Sequence, residues 1–158
     1  MFLEPLHDAS AVASAPGKLI LFGEHACVYG HTAVAAAISD LRIIVQASLH
    51  YDSPTLYAVL HDLPSATGSG DPVAARVHFH ALAAALSTCE AISPLMEPAP
   101  PTVAQIECLS SLLPGMPEVD RSALLPLLFL CAALLPQLVT SGATFGVHVH
   151  VRSADLPL

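Results

Sequence analysis

The chain has 158 residues, of which 54% are apolar and 11% charged, and its formal charge is −8. That apolar fraction fills one core of ordinary domain size and excludes global disorder. The acidic balance argues against a nucleic-acid backbone binder, which needs a stripe of Lys and Arg, and against binding to anionic membrane surfaces.

From Ala11 to Phe22 the chain reads as a strand interrupted near Pro16-Gly17 and ended by the polar turn Gly23-Glu24-His25. Ala33 to Ile38, all small or aliphatic, predicts a helix packed closely on a sheet. Arg42 to Leu49 is β-branched and predicts a strand, with Leu56 to Leu60 as its expected partner. Pro64 to Asp71 is a turn-rich loop. The Ala-rich run Val73 to Leu86 predicts a helix with Pro72 near its start. Four prolines between Ser93 and Pro101 predict a loop. Thr102 with Gln105 predicts a capping box opening a helix to Leu113, which Pro114 to Pro117 breaks. Ser122 is the expected cap of a long apolar helix. Thr144 to Arg152 alternates as a strand does. This mixture of strands and helices, with no internal repeat, predicts an α+β or split α/β layer fold.

Three signals have competing readings. Ala123 to Val139 has no charge over 17 residues, short of the roughly 20 a spanning helix needs. Pro126, Pro136 and Gln137 interrupt it and no basic cluster flanks it, so a buried core helix is the preferred reading over a membrane span. Cys27, Cys89, Cys108 and Cys131 form no CxxC pair, so neither a zinc finger nor a redox motif is indicated. Reduced cytosolic thiols are the simplest reading. His148 and His150 share one face of their strand, and His78 and His80 repeat the spacing, yet no carboxylate is suitably placed to complete a metal site.

Ser14 to Gly30 (SAPGKLILFGEHACVYG) is the informative segment. Lys18 is the only lysine in the chain and precedes an apolar run, where one ammonium can balance a transferred phosphoryl group or acidify a hydroxyl. A snorkelling lysine is the plainer alternative. Glu24 and His25 follow Gly23, where a strand delivers them to a cleft or merely to a solvated turn. Val12 and Leu19 break a Walker A pattern around Gly17-Lys18, and Val73 breaks a GxGxxG begun at Gly68. No GxSxG elbow appears.

Ser14-Ala15-Pro16-Gly17-Lys18, Ile20-Leu21, Gly23-Glu24-His25-Ala26, Val28 and Gly30 together resemble the first motif of the GHMP small-molecule kinases, in the form carried by the mevalonate kinases. Leu41-Arg42, Pro101 to Leu113, Leu127 to Leu134 and Val147 to Pro157 resemble later family segments in the same order. The resemblance implies the N-terminal part of a GHMP kinase (ribosomal protein S5 domain 2-like) fold, a mixed sheet with helices on one side. It implies transfer of the γ-phosphoryl of ATP to the C5 hydroxyl of mevalonate. Lys18 would lie near that hydroxyl and the phosphates, Glu24 and His25 would place the substrate, and Ser65 and Ser153 would contact the nucleotide. The family's glycine-rich phosphate loop would begin just past Leu158. Residues 1–158 are therefore expected to be a partial N-terminal domain, inactive alone, with the Mg2+ ligands and the C-terminal domain beyond it. The resemblance further implies a cytoplasmic enzyme, a homodimer in the full-length protein, and neither nucleic acid nor membrane as partner. A non-catalytic interaction module derived from such a half-domain is the alternative reading.

Overall fold

The computed structural model describes residues 9–88, 100–134 and 144–154. Five strands, β1 (Ser10–Phe22), β2 (Val34–His50), β3 (Thr55–Pro64), β4 (Pro72–His78) and β5 (Gly146–Ala154), form one mixed sheet in the order β1-β2-β5-β3-β4. Only the β3–β5 pair is parallel. Among the described residues three helices follow β4: α1 (Phe79–Thr88), α2 (Val103–Ser111) and α3 (Glu118–Leu134). The fold is α+β.

The core lies between the helices and the β3–β4–β5 half of the sheet. Leu56 and Ala58 of β3, Val73, Ala75 and Val77 of β4, and Val147 and Val149 of β5 are buried at alternating positions, as one covered sheet face requires. Against them α1 brings Phe79 and Leu82, α2 brings Leu109, and α3 brings Leu124, Leu128, Cys131 and Ala132. The α3 spacing of four, three and one is that of a helix presenting one apolar stripe. Leu124 and Leu128 are fully buried, each contributing about 1.5–3 kcal/mol of transfer free energy. Burial pushes the Cys131 thiol up to about 11, so at neutral pH it behaves as an apolar filler. No helix among the described residues is long and apolar enough to cross a membrane.

Several expectations are corrected. The run 33–38 is not helical: Val34 to Ile38 opens β2, pairing through Ile38↔Gly17, Ala37↔Lys18, Ala36↔Leu19 and Ala35↔Ile20. Small residues prefer helices only weakly, and cross-strand pairing overrides that preference. Residues 73–86 are not one helix: β4 occupies Pro72–His78 and α1 starts at Phe79. Leu56 to Leu60 pairs with β4 and β5, not with Arg42 to Leu49, because β5 inserts between β2 and β3. Ser122 caps nothing; α3 starts a turn earlier at Glu118, to whose Oε1 Ser122 donates at 3.5 Å. The capping box at Thr102 is present with both bonds: Gln105 N–H donates to Thr102 Oγ1 at 3.3 Å and Thr102 N–H to Gln105 Oε1 at 2.9 Å. Residues 93–99 of the expected loop and 135–139 of the expected apolar helix lie outside the described residues.

Candidate functional site

β1, β3 and β5 run in one direction and β2 and β4 in the other. The turn holding Glu24 and His25, the Ser65 loop and the end of β5 at Ser153 therefore all lie at the same end of the sheet. Among the described residues the β1–β2 hairpin outruns its neighbours at that end. The described pairing of β2 with β5 reaches Arg42↔Ala154, and the β1–β2 register jumps from Pro16↔Arg42 to Gly17↔Ile38. Gly17 to Phe22 and Val34 to Ile38 continue as a two-stranded arm, with Lys18 along it and Glu24-His25 at its tip. Arg42 secures the jump, donating from Nε to Ser14 Oγ at 3.0 Å and from Nη2 to the Ser14 carbonyl at 3.2 Å.

The tip depends on Gly23. Its φ is +84°, and a Cβ there would meet the Thr32 carbonyl oxygen at 2.7 Å and Ala33 Cα at 2.9 Å. Only glycine fits both conditions. Beyond it, Ala26–Tyr29 forms one 3-10 turn closed by Gly30 at φ +80°, whose N–H donates to the Cys27 carbonyl at 3.1 Å. Cys27 Sγ donates to the Glu24 carbonyl at 2.9 Å and fixes the backbone under the Glu-His pair. Lys18, Glu24 and His25 are all exposed. None of the principal cavities among the described residues is lined by Lys18, Glu24 or His25.

Ser65 and Ser153 are each tied to a carboxylate that the sequence did not flag. Ser65 Oγ donates to Asp120 Oδ2 at 2.6 Å, and Ala66 N–H donates to Asp120 Oδ1 at 2.9 Å. Asp120, 3% exposed, thus ties the β3–β4 loop to the first turn of α3, where the helix dipole favours a negative charge. Ser153 donates to Asp62 Oδ2 through both its backbone N–H and its hydroxyl, the latter at 2.7 Å. These two bonds, the backbone one first, hold the Asp62 carboxyl below its usual range. Asp62, Ser153, His61, His150 and Arg152 share a cavity of about 380 Å³. The Ser65–Asp120 pair spans 55 residues and the Ser153–Asp62 pair 91, so no local pattern could reveal either.

His148 and His150 do share a face, as expected, and it is the face away from the helices. His50, Tyr57 and His61 join them there. Among the described residues no three His, Cys, Asp or Glu side chains gather as metal ligands.

No family model matches the chain. A 38-residue stretch is 66% identical to mevalonate kinase of Pyrococcus furiosus, covering 24% of this chain and 11% of that protein. A 52-residue stretch is 52% identical to mevalonate kinase of Pyrococcus abyssi, covering 33% and 15%. Mevalonate kinase of Archaeoglobus fulgidus is 71% identical over 38 residues, covering 23% and 13%. The chain thus spans between a tenth and a sixth of the length of these curated relatives. Over a quarter to a third of its own length, it resembles mevalonate kinases.

Proposed function

We propose that the chain is the N-terminal part of a cytoplasmic, mevalonate kinase-like enzyme that phosphorylates the 5-hydroxyl of mevalonate from ATP. The high identity to several mevalonate kinases carries this reading. Its sheet, with helices on one side, is read as the N-terminal half of the S5 domain 2-like fold. Lys18 supplies a positive charge to the reacting hydroxyl and the phosphates, Glu24 and His25 hold the substrate, and Ser65 and Ser153 face the nucleotide. Both serine hydroxyls donate their protons to carboxylates, and Ser65 Oγ also accepts from the Thr67 N–H at 3.3 Å. The exposed arm becomes a pocket wall only when the remainder of such an enzyme closes over it. Phosphoryl transfer rests on positioning and electrostatics, so the 158-residue chain alone turns over nothing.

The test is a fusion of this chain to the C-terminal remainder of the Pyrococcus furiosus enzyme, first shown to melt cooperatively. It should release ADP only when mevalonate is present. Lys18→Met should lower kcat about 100-fold, the usual scale for removing one electrostatic stabiliser. A folded fusion that ignores mevalonate overturns the proposal. That result would favour the interaction-module reading, which the exposed Leu21, Phe22, Val28 and Tyr29 around the arm also suit.

A further inference from the structure

The helix-free face of the sheet carries four imidazoles arranged around its central strand. His50 of β2 stacks on His148 of β5, with ring centroids 3.6 Å apart and planes 18° from parallel. His61 of β3 meets His150 of β5 head-on, Nε2 to Nδ1 at 2.9 Å, with centroids 5.2 Å apart and planes again 18° from parallel. Tyr57 of β3 stands edge-on to both β5 histidines, at 5.1 Å and 6.2 Å. Each seam of β5, to β2 on one side and to β3 on the other, is therefore bridged by one imidazole pair.

Both bridges depend on protonation state. Two stacked imidazolium rings repel. An N–H···N bond needs one ring nitrogen with a free lone pair, which protonation of both rings removes. The collinear bond also leaves the two lone pairs poorly aimed at a shared metal ion, so hydrogen bonding explains this pair better than chelation. Little nearby charge would offset the protons. His148 faces His50, Tyr57, His150 and the Arg76 guanidinium, which lies 4.6 Å above the Tyr57 ring, with only Asp52 opposing them. His150 faces His61, His50 and Tyr57. Around the adjoining cavity stand Gln46, Arg152 and Asp62, whose carboxylate, bonded to Ser153, is the one negative charge acting on His61 there.

We infer that the two imidazole pairs form an acid-sensitive latch, holding β5 to β2 and β3 at neutral pH and releasing it when both members of a pair are protonated. Partial burial, then the neighbouring positive groups, place the His148 and His150 values below that of a free imidazole. The unfolded chain therefore takes up these protons first. The stability contribution is whole above about pH 6.5 and is lost as the pH falls from there through the folded-state values. Ser153, the penultimate residue of β5, is bonded to Asp62 next to His61, so release would reach the candidate site. None of this depends on the kinase reading, and the two stand or fall separately.

Hydrogen exchange on the full 158-residue chain tests the latch, with protection factors compared at about pH 7.5 and about pH 5. Protection of the amides of residues 147–151 should fall about tenfold or more at the lower pH, while the β3–β4 seam, which no imidazole pair bridges, keeps its protection. The H148Q/H150Q double variant retains polarity without the titrating charge and should abolish the fall. Equal β5 protection at both pH values, an equal fall across every strand, or an unchanged fall in the double variant each overturns the latch. Should the double variant not fold, NMR titration of the ring protons in the unaltered chain decides. Midpoints for His148 and His150 below that of free imidazole support the latch, and free-imidazole midpoints for both overturn it.

Discussion

Asp120 shows how much one buried carboxylate can organise. It accepts from the Ser65 hydroxyl and the Ala66 N–H and sits in the first turn of α3, so it joins a loop to a helix at the site end of the sheet. Asp120→Ala would remove both bonds and leave the Ala66 N–H without its acceptor, costing about 1–3 kcal/mol. Ser65→Ala keeps the Ala66 bond and should cost less. Urea-denaturation midpoints of the two variants, compared with the parent, test that order. Gly23 was legible as a turn residue, whereas the reason it must be glycine, the Thr32 carbonyl oxygen and Ala33 Cα against its missing Cβ, is a contact across the hairpin. Lys18 was legible by its isolation in the sequence, but its surroundings were not, because they depend on where the arm projects.

At the scale of elements, purely local signals read well. The Thr102–Gln105 box involves side chains three residues apart, and it is present with both bonds. Thr102→Ala should destabilise the chain by about 1 kcal/mol, visible as a lower melting temperature, and Thr102→Ser should restore most of it. Where two elements share a residue type, composition misled. Val73, Ala75, Val77 and Phe79 alternate with Ala74, Arg76, His78 and His80, a period of two that the alanine content concealed. The same holds for Val34 to Ile38, whose strand character comes from β1 lying beside it.

For the whole molecule, the described helices cover the β3–β4–β5 half of the sheet, and no described residue outside the sheet packs a core on the other half. β1 is an edge strand of 13 residues that carries Lys18 as its only charge and exposes Val12, Leu19, Leu21 and Phe22. Such an edge is a template for pairing with another chain. Sedimentation velocity should show association rising with concentration in the micromolar range, and Leu21→Lys should shift the population toward monomer. A monomer at every concentration, melting in one sharp transition, would contradict this.

The sequence by itself determined the informative first segment, the α+β class, the capping box, the turn-rich β3–β4 loop and the shared face of His148 and His150. Each of these follows from neighbours a few residues apart, where backbone geometry alone sets what can meet. Only the tertiary structure decided that β5 inserts between β2 and β3, that Asp120 and Asp62 hold the two candidate serines, that four imidazoles bracket the central strand, and that Lys18 lies on the far part of the β1–β2 hairpin. Those outcomes come from pairing and packing between distant segments, whose partners are selected by burying one common apolar face.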